Sequence, residues 1–389
     1  MPQASQSSIY RRAESEIRLA IPDAFLRLGR KCVCGMEINM DTKIVRIDAS
    51  NRDEVICEAG SILRGGGLVA FPTETVYGLG GDALREDAAR KIYSAKGRPS
   101  DNPLIVHIAD VSDLEVLAKD IPDSAYKLAE AFWPGPLTMI LSKKDIVPYG
   151  TTGGLETVAI RMPSHPVAAG LIKSSGIYVA APSANLSGRP SPTKAEHVIE
   201  DMQGRIDMII DAGAIEIGIE STIVDLTVPV PMILRPGYIT AGMIKDVLGD
   251  VCYDRTVLTH TMTKDKPKAP GMKYRHYAPK ADLTIFEGDN AKVVARINEL
   301  AGQHVKAGHR VGILSSSENA ELYTAGDVVV VGSRRDEHEI AAHLFDVLRH
   351  FDHINVDVIL SEGFDEDSFG QAVMNRLIKA AGHHIEHVE

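Results

Sequence analysis

The stretch of residues 68–107 constrains the fold of this chain most strongly. It begins with four apolar residues that suit a buried strand, which Pro72 ends because proline cannot donate to a β-ladder. A loop of hydroxyls and glycines follows over 73–81, then a predicted helix over 87–95 and an apolar strand over 104–108. Two polar loops therefore flank one helix, and such glycine-rich backbone can approach a small anionic ligand closely.

Alternating strand-like and helix-like patterns predict an α/β protein with two domains, which its 389 residues also favour. Residues 41–235 mix strands and helices without strict alternation, whereas 281–389 alternate strongly and indicate a Rossmann-like domain. Residues 236–280 have a weaker pattern and predict a linker. Its run over 271–279 is richer in aromatic and cationic side chains than a simple tether requires.

Composition disfavours several classes of function. The net charge of −11, from 42 basic and 53 acidic residues, disfavours stable RNA binding over a broad surface. The four cysteines fit no zinc-binding spacing and predict free thiols in a reducing cytosol. No apolar run approaches membrane-spanning length. Residues 1–40 lack a secretory apolar segment and predict a poorly ordered extension, with Met36 or Met40 as alternative starts.

Common site signatures are absent from the sequence. There is no G-x-x-x-x-G-K-[ST] phosphate loop and no G-x-G-x-x-G fingerprint. His338 and His343 are too far apart to share a helical face as metal ligands, and the histidines over 383–387 predict a polar tail. No Ser-His-Asp or Cys-His order and no carboxylate cluster indicates covalent or metal-hydrolytic catalysis. The remaining hydroxyls and cations suit two substrates held side by side, with charge stabilised on phosphorus.

Cationic side chains at the ends of loops and strands are the evidence for a binding site. Lys96 and Arg98 follow the predicted helix, where a local cation cluster favours triphosphate binding over a merely solvated loop. Arg161 and Arg235 each end an apolar strand. At Arg161, a grip on a carboxylate and a structural ion pair explain the position equally well. His107 lies inside a predicted strand, and its spacing alone favours a core histidine.

Small residues lead into a predicted helix further along the chain. The loop of residues 181–185 is followed by Ser191-Pro192-Thr193, and a helix N-terminus there would present free N–H groups to an anion. Thr193 and Glu196 match a capping box, which predicts a helix that starts at Thr193 and runs towards Met202.

Eight short motifs occur in order along the chain: FPTETVYGLG at 71–80, KGRPSDNPL at 96–104, WPGPLT at 133–138, RMP at 161–163, APSAN at 181–185, SPT at 191–193, EST at 220–222 and GMKYRHYAP at 271–279. Together they resemble the threonylcarbamoyl-AMP synthase family in its long form. The resemblance covers roughly residues 41–389. It implies a YrdC-like catalytic domain built on a twisted mixed sheet, a linker that acts as a lid over the active site, and a smaller Rossmann-like C-terminal domain.

The resemblance also implies a reaction. L-threonine, bicarbonate and ATP, with Mg²⁺, give L-threonylcarbamoyl-AMP, pyrophosphate and water. A separate tRNA-modifying transferase then receives the threonylcarbamoyl group, so direct tRNA binding is expected to be weak or absent. The resemblance implies cytoplasmic activity and no metal site built from protein ligands.

The resemblance assigns roles to individual positions. Lys96 and Arg98 are the implied catalytic residues, which stabilise charge on the phosphates. The implied threonine contacts are Thr75, His107, Arg161, Ala181 and Ser221. The implied ATP contacts are Arg98, Asn102, Thr157, Ser183, Ser191, Arg235 and Tyr274. For His107, the family therefore points to a binding role that the spacing did not favour.

Two other functions fit the sequence less well. A carbamoyl-adenylate-forming hydrogenase-maturation enzyme has a similar core, but it also needs zinc-finger segments that four scattered cysteines cannot supply. An RNA-binding regulatory module is disfavoured by the acidic balance of the chain.

Overall fold

A computed structural model describes residues 40–259, 267–270, 272, 276–365 and 369–389, which carry two β-sheets. Residues 40–389 form one compact unit. The predicted N-terminal extension lies outside the described residues except for Met40, and the predicted domain boundaries stay a prediction. Among the described residues, no helix is both long and apolar enough to cross a membrane.

The larger sheet is mixed and contains twelve strands: β1 (Lys43–Arg46), β2 (Val69–Phe71), β3 (Gly78–Asp82), β4 (Ile105–His107), β5 (Ala118–Lys119), β6 (Leu137–Lys143), β7 (Thr157–Arg161), β8 (Val179–Ala180), β9 (Met208–Asp211), β10 (Thr222–Asp225), β11 (Met232–Arg235) and β12 (Cys252–Tyr253). Their spatial order is β1-β9-β2-β3-β8-β4-β7-β6-β10-β11-β12, and β5 pairs with β6. β4 is parallel to β7 but antiparallel to β8. The predicted mixed sheet is confirmed.

The helices associated with this sheet are α1 (Arg52–Arg64), α2 (Glu86–Lys96), α3 (Leu114–Leu117), α4 (Asp123–Phe132), α5 (Tyr149–Thr152), α6 (Pro166–Ser175), α7 (Ala195–Met202), α8 (Ala241–Leu248) and α9 (Arg255–Leu258), with a 3₁₀ turn at Val111–Asp113. Helix α2 ends at Gly97, whose φ of 60° is left-handed and therefore suits glycine. This end turns the chain from Lys96 into the cation-bearing loop.

The second sheet is entirely parallel. Its strands are β13 (Asp282–Gly288), β14 (Val311–Ser316), β15 (Asp327–Gly332), β16 (Val358–Glu362) and β17 (Ile385–Val388), in the order β15-β14-β16-β13-β17. Its helices are α10 (Asn290–Lys306), α11 (Glu337–His353) and α12 (Gly370–Ala380), with a 3₁₀ turn at Ala320–Leu322. The predicted Rossmann-like α/β plan is confirmed. The polar tail predicted over 383–387 was wrong, because most of it is strand β17, paired with β13.

Strand β3 forms where the sequence predicted a loop over 73–81, and it extends to Asp82. Its glycines let neighbouring strands approach closely. A Cβ on Gly80 would lie 2.8 Å from Phe71 Cε1 and 2.9 Å from Val179 Cγ1. The glycine content that indicated an irregular loop therefore serves close packing inside the sheet.

The predicted capping box was wrong. Helix α7 begins at Ala195, and its N-cap is Lys194, which makes no side-chain cap. The backbone N–H of Thr193 instead donates to His197 Nδ1 (3.2 Å). Thr193 therefore lies one position too early to cap the helix.

The two sheets share part of one hydrophobic core. Val76, from the loop before β3, and Tyr277 pack in the same buried cluster as Phe345 of α11. At Gly218, a Cβ would lie 2.4 Å from both Ala341 O and Ala342 Cα of that helix. The backbone at Gly218 thus contacts α11 directly, and only glycine fits there.

The close packing around β3 predicts the effect of Gly80→Ala. The added methyl group would overpack Phe71 and Val179, so we expect the free energy of unfolding to fall by about 1–3 kcal/mol. Urea denaturation followed by circular dichroism measures this change. Gly242→Ala in α8 is the matched control, because its nearest neighbour is Thr240 Oγ1 at 3.7 Å. Equal stability of both variants would contradict the packing argument.

Candidate active site

A cavity opens where several strands of the larger sheet end. In the parallel pair β4 and β7, His107 lies opposite Arg161, so both residues end their strands at the same level. The empty space is ≈ 600 Å³ and includes a part open to solvent. Nine residues singled out by the sequence line it: Thr75, Arg98, His107, Arg161, Ala181, Ser183, Ser191, Ser221 and Arg235.

Arg161 is buried and lies in a network of polar groups. Its Nη1 donates to Thr75 Oγ1 (3.0 Å), and its Nη2 lies 2.6 Å from Glu74 Oε1. Burial disfavours the Glu74 carboxylate, but Arg161 outweighs it and lowers the pKa of Glu74. Among the described residues, neither Nε nor Nη2 of Arg161 has an aligned hydrogen-bond acceptor. Arg161 therefore forms an ion pair with Glu74 through Nη2, while its Nε is left for a ligand carboxylate.

His107 is a neutral imidazole in this setting. Burial, assisted by the nearby Arg161 charge, lowers its pKa to about 3. Its Nδ1 lies 3.1 Å from the carbonyl oxygen of Ile105. A carbonyl only accepts, so Nδ1 carries the proton and Nε2 keeps a lone pair. His107 is thus a hydrogen-bond acceptor beside the cation of Arg161.

Ser221 is held between two strands. Its hydroxyl lies 2.8 Å from Thr138 Oγ1 of β6. Arg235, at the end of β11, donates from Nε to Ser221 O (3.0 Å) and from Nη2 to Ser221 Oγ (3.2 Å). Burial lowers the pKa of Arg235 to about 10, which leaves it charged at neutral pH. This cation fixes the serine as well as lining the cavity.

Arg98 is anchored before β4 begins. Its Nη2 donates to Pro103 O (3.0 Å) and more weakly to Asn102 O (3.3 Å). The side-chain Oδ1 of Asn102 is buried without a hydrogen-bond partner among the described residues. These contacts place the guanidinium of Arg98 at the cavity wall.

Lys96 lies beneath the loop that follows β8. Its Nζ donates to the carbonyl oxygens of Ser183 and Asn185 and to Asn185 Oδ1 (3.3 Å). The residue is 2% exposed. Burial, and then Arg98, lower the pKa of Lys96 well below its ordinary value. Its direct contacts are with the loop, and it does not line the cavity.

The structure separates other predicted positions from the cavity wall. Lys96, Asn102 and Thr157 do not line it; Thr157 begins β7, at the opposite end from Arg161. Tyr274 lies outside the described residues. The cavity-lining residues that sequence reasoning did not single out include Thr73, Asn185, Glu220, His276 and Tyr277. The available signals were that Glu220 belongs to the EST motif and that His276 and Tyr277 belong to the aromatic run.

His276 and Tyr277 bring the predicted linker to the cavity. Burial lowers the pKa of His276 to about 3, with Arg98 adding to the effect, so its imidazole is neutral. Burial and the Glu220 carboxylate raise the pKa of Tyr277 to about 12. Both side chains are therefore uncharged at neutral pH.

Comparison with protein families gives two adjacent matches. A family model described as "Telomere recombination" matches residues 61–237. A second, described as "Threonylcarbamoyl-AMP synthase, C-terminal domain", matches residues 239–382. The first covers most of the larger sheet and the second all of the parallel sheet except β17.

Curated relatives agree over most of the chain. The threonylcarbamoyl-AMP synthase of Pyrococcus abyssi is 51% identical over 327 residues, 84% of this chain and 94% of that protein. The Bacillus subtilis enzyme of the same name is 51% identical over 336 residues, 86% of this chain and 95% of that protein. The solved structure of P. abyssi Sua5 complexed with L-threonine has a TM-score of 0.84 and 49% identity. That similarity covers 90% of this chain and 100% of the solved chain.

The position of Lys96 predicts a structural effect of Lys96→Met. The buried carbonyls of Ser183 and Asn185 would lose donors, so we expect the free energy of unfolding to fall by about 1–3 kcal/mol. Urea denaturation measures it. Lys91→Met on the same helix is the control, because exposed Lys91 donates only to Gly66 O (2.6 Å) among the described residues. A Lys96→Met variant no less stable than this control would contradict the prediction.

Proposed function

The chain belongs to the threonylcarbamoyl-AMP synthase family, and on that basis we propose how its cavity divides between two substrates. The family activity is a nucleotidyl transfer that makes the intermediate for threonylcarbamoyladenosine modification of tRNA. The observation that supports the division is the placement of cations. Arg161 shares its strand end with His107, whereas Arg98 is anchored before β4 at Pro103.

In this proposal L-threonine binds at the ends of β4 and β7. Arg161 binds the carboxylate, because its Nε has no hydrogen-bond acceptor among the described residues. Neutral His107 accepts a hydrogen bond from the substrate through Nε2. Thr75, Ser221 and the backbone of Ala181 complete this side of the cavity. The L-threonine complex of P. abyssi Sua5 supports the choice of amino acid.

ATP occupies the other side of the cavity. Arg98 and Arg235 supply positive charge, and Ser183 and Ser191 supply hydroxyls at the wall. Lys96, Asn102 and Thr157, which do not line the cavity, are also proposed to act on the ATP side. The contacts of Lys96 indicate that it acts by holding the loop that carries Ser183.

The proposed chemistry has two steps. The threonine amine and bicarbonate combine to a carbamate and release water. A carbamate oxygen then attacks the α-phosphorus of ATP, the bond to the β-phosphate oxygen breaks, and pyrophosphate leaves. Fixed cations such as Arg98 stabilise the charge that develops on the phosphates without reorganisation of the site. Holding both substrates in one cavity lowers the entropic cost of their encounter.

A magnesium ion is proposed to enter with the nucleotide. The described residues contain no group of three His, Cys, Asp or Glu side chains able to hold a metal. Mg²⁺ commonly keeps several waters and binds substrate phosphates, so it needs no dedicated protein cage.

The linker over residues 236–280 is proposed to act as a lid over the active site. His276 and Tyr277 line the cavity, which supports a covering role for residues 236–280. Tyr274 is proposed to contact ATP from the same segment. The product is proposed to pass to a tRNA-modifying transferase in the cytoplasm, with little direct tRNA binding by this acidic chain.

Pyrophosphate release tests the activity itself. We expect release from ATP to require both L-threonine and bicarbonate, because the carbamate must form before it can attack phosphorus. A coupled pyrophosphate assay with each substrate omitted in turn measures this requirement. Release that is independent of threonine, or faster with L-serine or L-valine, would contradict the assignment.

Two arginine variants test the division of the cavity. For Arg161→Ala we expect the KM for threonine to rise on the order of 10- to 100-fold, because hydrogen bonds to a charged group are lost. The KM for ATP should change much less. Arg98→Ala is the matched variant and should show the reverse pattern. Equal loss of both substrates in Arg161→Ala would make Arg161 a structural residue.

A further inference from the structure

Two arginines on the helices of the parallel sheet are completely buried against the part of the chain that forms the larger sheet. Arg349 of α11 and Arg376 of α12 are both 0% exposed. A buried guanidinium is costly unless its donors are paired. Arg349 binds Pro190 O (2.7 Å) and Asp201 Oδ2 (2.7 Å), and Asp201 does not line the cavity. Arg376 binds a residue that does.

Arg376 reaches the back of the cavity wall. Its Nε donates to Glu220 Oε2 (3.1 Å), and its Nη2 donates to the carbonyl oxygen of Glu220 (3.1 Å). Its Nη1 donates to the carbonyl oxygen of Pro236. One side chain of α12 therefore fixes both the backbone and the carboxylate of Glu220 and the start of the predicted linker. Arg376 itself does not line the cavity.

Glu220 passes this constraint to the cavity residue Ser191. Its Oε1 accepts a hydrogen bond from Ser191 Oγ (2.5 Å). Burial opposes ionisation of Glu220, but Arg376 and then Arg235 hold its pKa below the ordinary range. After burial, the same carboxylate is the main cause that raises the pKa of Tyr277. Glu220, Ser191 and Tyr277 all line the cavity.

We propose that Arg376 is a positioning residue for the ATP side of the active site, acting through Glu220 on Ser191. Glu220 is a buried carboxylate in a cavity that binds a polyanion. Arg376 neutralises this carboxylate and orients it, so that Oε1 accepts the hydrogen bond from Ser191. The C-terminal part of the chain thereby completes an active site whose wall it does not form. The inference rests on the proposed assignment of Ser191 to the nucleotide side.

Removal of the cation is the first test. In Arg376→Met, Glu220 loses its nearest cation, so ATP phosphates would meet a carboxylate that only Arg235 still compensates. We expect the KM for ATP to rise on the order of 10- to 100-fold, with the KM for threonine changed by less than about threefold. Pyrophosphate release and the binding of α,β-methylene ATP measure the two effects.

Rescue separates positioning from simple structural support. Glu220→Gln in the Arg376→Met background removes the carboxylate charge and should recover part of the ATP affinity. Arg376→Lys keeps a charge but cannot make the same three bonds, so its ATP affinity should lie between those of the parent and Arg376→Met. If Arg376→Met does not fold, Arg376→Lys carries the test, and an unchanged KM for ATP would overturn the proposal.

Asp346→Asn is the control for contact between helix α11 and the part of the chain that forms the larger sheet. Asp346 of α11 binds Lys194 (2.8 Å) and His197 (3.1 Å) at the same interface, and none of these three lines the cavity. We expect its substrate KM values to match those of the parent. Equal losses for ATP and threonine in Arg376→Met, without rescue by Glu220→Gln, would overturn the proposal. Failure of the parent enzyme to release pyrophosphate with threonine would instead refute the proposed function.

Discussion

The structure depends on how buried charges around one cavity are paired. Arg161 lies against Glu74, and Arg376 bonds Glu220, although all four residues are largely removed from water. Charges in such a setting are retained only when a partner offsets the loss of hydration. Pairing sets the net field inside the cavity, because it decides which cationic side chains can still bind an anionic substrate. The two substrates can therefore be held by different arginines.

The sheet provides the positions from which these charges act. The parallel register of β4 and β7 sets His107 beside Arg161, and the ends of β10 and β11 bring Ser221 beside Arg235. Glycines in β3 let adjacent strands pack closely behind this wall. The parallel sheet contributes from outside through helices α11 and α12. The site thus belongs to the whole fold, even though the larger sheet supplies most of its wall.

Much of the fold could be predicted from local pattern. Strands β7 and β11 end at the predicted arginines, Arg161 and Arg235. Patterns failed where tertiary contacts overrode them: the glycines of β3 pair as a strand, and residues 385–388 join a parallel sheet edge. Both strands are stabilised by partners distant in sequence, which a local pattern cannot show.

The sequence by itself determined the element types, the ordered motifs and hence the family, because periodicity and motif chemistry are local properties. It also identified the residue types able to bind an amino acid and a nucleotide. Only the tertiary structure decided which of them meet. It put Lys96 under a loop, paired Arg161 with Glu74, and brought Arg376 to Glu220 across 156 residues of chain. Partner choice among charges depends on distance and burial, which residue order does not specify.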